Sequence, residues 1–232
     1  MLGILFSSLP HILIGAMIAS IIMVKDKDSS KKKILILVFC SVVVIAPDVL
    51  KILGFLSSHA LWLCPILGIF FSFLYAYLIK KESHSLFTDW IKFSTIIFIG
   101  HLFIDFIGNG ARLLYPFVKE EFIFSIISKL DFVFIMFLAI SLIIVFIHPK
   151  RKESALVCII TIFMYFSFLT VSKIQLEYSL KGKYQSEDIV LLISYPNDSL
   201  HWGYQVRTTD LIVTGESPVF NNEINVETKR EI

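Results

Sequence analysis

The stretch ALVCIITIFMYFSFLTV, from Ala155 to Val171, holds no charged residue. A helix needs roughly 20 predominantly apolar residues to cross the hydrocarbon of a bilayer. With its flanks, about 154–172, this stretch approaches that length, and five more segments do so: about 2–24, 34–54, 60–79, 91–108 and 130–148. The first lacks a basic leader and a small-residue cleavage site, so it reads as a retained helix and not as a signal peptide. The 232 residues are 56% hydrophobic. A soluble domain carries about 45–50% apolar residues even when glycine is counted. The excess here lies in blocks with charge between them. The expected fold is an all-α integral membrane bundle of five to six transmembrane helices with a small C-terminal extracytoplasmic β domain. In residue terms, 1–172 is the transmembrane helical metal-site domain and 173–232 a small polar β-rich tail.

The loops set the expected orientation. Lys25, Lys27, Lys31, Lys32 and Lys33 fill the first connection. Lys80, Lys81 and Lys92 flank the third, and His148, Lys150, Arg151 and Lys152 make the fifth. The second, near Ser57 and Ser58, has no charge at its centre, and the fourth mixes Arg112 and Lys119 with Glu120 and Glu121. The positive-inside rule then puts loops one, three and five in the cytoplasm of a multi-pass cell-membrane protein, with both termini outside. In the tail, Ile189–Ser194, Gly203–Thr208 and Asp210–Thr214 are β-prone. Tyr195-Pro196-Asn197-Asp198 is turn chemistry. Residues from Asn222 onward read as a frayed polar end.

Several classes fall away. Cys40, Cys64 and Cys158 all lie inside apolar blocks, as small buried hydrophobes do, and form neither a disulfide framework nor a zinc knuckle. No basic patch interleaved with aromatics points to nucleic acid.

Ionisable residues inside apolar segments are costly and count as functional candidates. They are His11, Asp48, His59, His101 and Asp105. Three histidines and two aspartates are a ligand set suited to zinc or a similar divalent ion. His101 and Asp105 stand four apart and share one helix face. In the topology above all five fall in the outer part of the membrane. Each also has a plainer reading: His11 as a hydrogen-bonded packing residue, Asp48 after Pro47 as a helix cap, His59 beside Trp62 as an interfacial residue, His101 and Asp105 as a proton relay. Lys51, Asn109 and Arg112 could bind an anionic group such as phosphate, or snorkel at the interface. His84 and His148 fall on the opposite face. His201 and Trp202 belong to packing of the tail. Ser57-Ser58-His59 hints only faintly at a serine nucleophile, because no elbow glycines accompany it.

Gly100-His101-Leu-Phe-Ile-Asp105, followed by Gly108, Leu113-Leu114 and Pro116-Phe117, resembles the hallmark of the membrane-bound metal-dependent hydrolase family, the YdjM/YfhP-like proteins of bacteria. His11-Ile-Leu-Ile-Gly15 resembles its N-terminal H-x-x-x-G, Ala46-Pro47-Asp48 its Pro-Asp, and Ser58-His59-Ala60-Leu61 its Thr-His-Ser-Leu. Tyr195-Pro196 followed by Trp202 resembles the tail of the YfhP-like branch. That family looks distantly similar to zinc-dependent phospholipase C, whose ligands arrive as His, Asp, His, His-x-x-x-Asp. The order here is His11, Asp48, His59, His101, Asp105. Leu50 stands where the family often has a second Asp, Gly54 and Phe55 where it often has His-Arg, and no further His, His, Glu set follows Ala111. One or two metals fit this chain better than three.

The resemblance implies a membrane-embedded metal-dependent hydrolase of phosphoester bonds in a lipid-like substrate. A divalent metal, zinc in first place, is its cofactor, and membrane lipids and a phosphoester are its partners. Asp48 and Asp105 are the candidate catalytic carboxylates; Lys51, Asn109 and Arg112 would hold substrate. Two other classes stay open: a proton-coupled transporter using the same His and Asp residues, and a catalytically inactive membrane scaffold.

Overall fold

The computed structural model describes residues 8–25, 28–55, 58–79, 85–148, 151–221 and 223–232. Lys27, Lys80, Lys81, Lys150, Ser57, His84 and Asn222 lie outside the described residues.

Local chemistry sets the first helices. Pro10 sits in the first turn of α1 (Leu9–Ile22), where its missing N–H costs nothing. The Ser29 side chain accepts from the Lys32 amide at the start of α2 (Ser30–Val44). Pro47 opens α3 (Ala46–Ile52) directly after Ile45, which caps both helices, and the chain bends 42° there. A proline cannot donate to the preceding turn, so one helix ends and another starts. α4 spans Leu63–Ile79. α5 (Leu86–Ile97), capped by Ser85, runs through a π turn at Phe98–Leu102 into α6 (Phe103–Ile107). α7 is Phe132–Ile147 and α8 is Arg151–Lys183.

Among the described helices, two are long and apolar enough to cross a membrane, Leu86–Ile107 and Glu153–Lys183. A third is added if Ser30–Val44 and Ala46–Ile52 form one broken span. The expectation of five to six spans is corrected to two or three. Apolar content and helix length are separate properties. α1, at 14 residues, rises about 21 Å against the roughly 30 Å of a hydrocarbon core. Leu63–Leu78 and Phe132–Ile147 are apolar but short in the same way. The segment at 154–172 lies inside the much longer α8, which carries the helix on to Lys183 through residues too polar to have been counted as span.

The chain divides into two compact units. The first comprises Met1–Phe124 and Ile135–Cys158. One close approach joins α1, α2 and the π turn. A Cβ built on Gly15 would lie 2.8 Å from Val44 Cγ1, and one on Gly100 2.7 Å from Val44 Cγ2 and 3.5 Å from the Gly15 Cα. Small residues let helix backbones close in this way. Beside it, Phe39 of α2 packs against Phe71 and Tyr75 of α4 and Phe93 of α5, with ring centroids 5.6–6.1 Å apart. After α6 the chain leaves helical structure. Ala111 and Phe122 form an antiparallel bridge, the Leu61 amide donates to the Leu113 carbonyl, and the Trp62 indole donates to the Tyr115 carbonyl at 2.8 Å.

The second unit comprises Ser125–Phe134 and Ile159–Ile232. It holds an antiparallel sheet in the order β1 (Ile189–Pro196), β2 (His201–Thr208), β3 (Leu211–Pro218), β4 (Asn225–Glu231). The three β-prone segments read from the sequence fall in β1, β2 and β3. Tyr195 and Pro196 are still in β1, so the turn comes later, at 197–200, where Asp198 Oδ1 accepts from the Leu200 and His201 amides. The end expected to fray is instead β4. Every residue of β4 is exposed, so no apolar alternation marks it as a strand; backbone pairing to β3 and a Thr214–Thr228 hydroxyl pair at 2.6 Å hold it. Trp202 is buried, as expected of a packing residue, and donates at 2.9 Å to Ser172 Oγ on α8, which donates to the Val219 carbonyl at 2.6 Å.

Candidate metal centre

The five expected ligands arrive from four stretches of the chain. His11 lies in the first turn of α1, and its ring Nδ1 is 3.1 Å from the Gly100 carbonyl. Asp48 lies in the first turn of α3, directed by the Pro47 break. His59 sits in the non-helical stretch before α4, and its Nδ1 is 2.8 Å from Ser58 Oγ. His101 is in the π turn and Asp105 in α6. The structure brings all five together. His59 Nε2 is 3.1 Å from His101 Nε2, 3.1 Å from Asp105 Oδ2 and 3.5 Å from Asp48 Oδ1. His101 Nε2 is 3.3 Å from Asp105 Oδ2 and 3.8 Å from Asp48 Oδ1, and His11 Nε2 is 3.4 Å from Asp105 Oδ1. His11, His59, His101 and Asp105 are buried.

Tautomer chemistry tests whether a metal fits. A carbonyl oxygen only accepts, so His11 Nδ1 must carry the proton that meets Gly100. In the neutral ring Nε2 is then a bare lone pair, facing a carboxylate oxygen 3.4 Å away. Two electron-rich atoms at that distance call for a proton or a metal ion between them. The same need arises at His59 and His101, whose Nε2 atoms face each other and share Asp105 Oδ2. One buried carboxylate, one partly exposed carboxylate and three neutral histidines leave the set short of positive charge, which a divalent ion, or protons on the imidazoles, would supply. Two overlapping groups, His11/Asp48/His101 and His59/His101/Asp105, have donor atoms all within 4.8 Å of one another. This buried His/Asp group could hold a metal ion. The partners around it have the form of an outer ligand shell, which fixes tautomers and ring orientations: Gly100 on His11, Ser58 on His59, Asn109 Nδ2 on Asp105 Oδ1 at 3.0 Å, and Ser8 Oγ on Asp48 Oδ2 at 2.9 Å.

The substrate candidates separate. Asn109, exposed, donates to Asp105. Lys51 and Arg112 line a cavity of about 210 Å³ that His59 and Ser58 also line. Arg112 Nε lies 3.3 Å from Glu121 Oε1, across the Ala111–Phe122 bridge. Ser8 and Glu121 were missed from sequence. Ser8 stands where a helix cap belongs, yet its side chain makes no capping bond and serves Asp48 instead. No spacing rule announces that pairing across 40 residues. Ser58, read faintly as a nucleophile, is bonded to His59; its neighbour Ser57 lies outside the described residues.

In comparisons with known proteins, no family model, no curated protein and no solved structure matches the chain.

Proposed function

We propose that this chain is a membrane-embedded metal-dependent hydrolase acting on phosphoester bonds in a lipid-like substrate. The convergence of three imidazoles and two carboxylates from four chain segments into one cluster, buried except at Asp48, carries this reading. The resemblance of the Gly100–Asp105 block to the membrane-bound metal-dependent hydrolase family supports the reaction class. The loop lysines support a site toward the extracytoplasmic side. His11, His59, His101 and Asp105 would hold the ion, with Asp48 at its edge. A bound divalent ion, zinc in first place, supplies a Lewis acid and brings the pKa of a water down to about 7.

The chain's own groups divide the remaining work. Both Asp105 oxygens are engaged, Oδ1 with His11 and Asn109 and Oδ2 with His59 and His101, so Asp105 is a structural ligand. Asp48 is the more open carboxylate, with its side chain 23% exposed and Oδ2 steadied by Ser8. Asp48 is therefore the group that orients the attacking water and takes its proton. Water oxygen bonds to phosphorus, the ester P–O bond breaks, and the departing alkoxide leaves as the alcohol after taking up a proton. Lys51 and Arg112 neutralise phosphoryl charge.

The test is metal content by mass spectrometry on detergent-purified protein, with His101→Ala, Asp105→Ala and the shape-preserving Asp105→Asn beside wild type. Near-stoichiometric zinc or manganese, lost in all three variants, is the expected result and leads to a phosphoester substrate screen. Wild-type protein that stays metal-free after incubation with divalent ions overturns the reading and favours a proton-relay carrier.

A further inference from the structure

The cavity beside His59 is lined by charged and apolar groups together. Its charged groups are Lys51, Arg112 and Glu121. Lys51 makes no ion pair among the described residues, and Arg112 shares only its Nε edge with Glu121, at 3.3 Å. Glycine supports the walls at two points: Gly54 at φ +89° and Gly110 at φ +87°, a backbone region that side chains disfavour. Exposed apolar residues line or adjoin the same cavity. Phe55 lines the cavity and is 56% exposed; Leu53, adjoining Gly54, is 67% exposed. Ile123, 52% exposed, flanks Gly110, where an added Cβ would come 3.4 Å from its own.

Exposed apolar residues alone say only that a surface faces lipid. Their place here says more, because Phe55 lines, and Leu53 and Ile123 adjoin, a cavity that Lys51, Arg112, Glu121 and His59 of the His/Asp cluster also line. A polar metabolite would leave the apolar surface uncovered, and a neutral lipid would leave Lys51 unanswered. An anionic head with a hydrocarbon tail satisfies both features. We propose that this cavity is a headgroup subsite for a phosphorylated single-chain amphiphile: Lys51 and Arg112 take the phosphate, and the chain leaves across Leu53, Phe55 and Ile123. The assignment rests on the hydrolase reading for its purpose but not for its test, since binding needs no turnover. The volume of about 210 Å³ suits a phosphate group with the first atoms of its ester, so the chain must lie outside, on the rim.

The experiment measures binding of dodecyl phosphate and of inorganic phosphate by calorimetry, using full-length protein in nanodiscs of zwitterionic lipid. Wild type is compared with Leu53→Ser/Phe55→Ser and with Lys51→Gln/Arg112→Gln. Partition of the amphiphile into the disc is common to all samples, so ratios between proteins read the site. The rim pair should weaken dodecyl phosphate about tenfold, ~1.4 kcal/mol at 25 °C, and leave inorganic phosphate unchanged. The cation pair should weaken both. An unchanged thermal unfolding midpoint shows that each variant is folded. Rim variants that leave dodecyl phosphate unchanged, or weaken both ligands equally, overturn the proposal, as does dodecyl phosphate binding that ignores Lys51 and Arg112. Protein that binds in the expected pattern but hydrolyses no phosphoester supports the subsite and removes the enzymatic reading alone.

Discussion

Gly100→Ala tests how the metal centre is held. The added Cβ would lie 2.7 Å from Val44 Cγ2, about 1 Å inside an ordinary carbon–carbon contact. Val44 is fully buried, and the nearest alternative space is backbone, since the Gly15 Cα is 3.5 Å away. The helices must part. Overpacking by one methyl costs about 1–3 kcal/mol. The same movement strains the His11 Nδ1 contact to the Gly100 carbonyl, now 3.1 Å, and draws His101 away from His11, whose ring centroids are 4.4 Å apart. The expected phenotype is a lower thermal unfolding midpoint together with weaker metal retention against a competing chelator. Val44→Ala alone removes two buried methyls at roughly 1–3 kcal/mol, scaled from the range for one. In the double variant the methyl added by Gly100→Ala enters the space Val44 vacates, so the two losses should fall short of their sum by about 1 kcal/mol. A single variant as stable and as metal-competent as wild type, or strictly additive losses, would refute the close approach as the device that sets His11 against His101.

Other expectations follow from partners around the cluster and in the sheet. Ser58→Ala removes the group that fixes His59 and should weaken metal affinity by about 10–100-fold without abolishing binding; a variant with full metal content and no activity would make Ser58 a nucleophile instead. Ser172→Ala leaves the buried Trp202 indole N–H without its acceptor, a loss of about 1–3 kcal/mol, and should speed amide exchange across β2; unchanged exchange would mean that the bond carries no stability. Asp198 gives a pH dependence. Partial burial pushes its carboxyl up, but the Leu200 amide, then the His201 ring and amide, outweigh it and hold the pKa below the ordinary 3.8. A depressed carboxylate stabilises the fold above its unfolded value and loses that effect as pH falls through its folded one. The 197–200 turn should therefore hold through pH 4 and loosen only below 3.8, read by NMR titration of Asp198 and exchange at Leu200; an Asp198 titrating above 3.8 contradicts this.

The grouping of the five ligands was legible because charge inside an apolar block is conspicuous; the depth expected for each block rested on six spans, and two or three are found among the described helices. The number of spans was not legible. Hydropathy counts apolar residues, whereas Pro47 ends α2 and the short rise of α1 limits its reach, and neither changes the apolar count. β4 escaped for the opposite reason: all its residues are exposed, so its identity lies in backbone pairing and in no side-chain pattern. Glu121 looked like one of several loop charges. Only the Ala111–Phe122 bridge, a pairing of backbone groups, sets it beside Arg112.

The two ligands on the fourth apolar segment show where sequence spacing stops being enough. His101 and Asp105 share a helix face by their i and i+4 positions, and His101 Nε2 does lie 3.3 Å from Asp105 Oδ2. Yet His101 belongs to a π turn, not to a regular helix. A π turn carries one more residue per hydrogen-bonded ring than the α-helix and is rare outside functional sites. That extra residue lets α5 keep Phe93, Ile96 and Ile97 fully buried while Gly100 meets Gly15 and Val44 and its carbonyl faces His11. A regular helix would turn one of these two sets away by about 100°. The irregular turn therefore serves packing on one side and the metal centre on the other, which explains why a chain would keep its poorer hydrogen bonding.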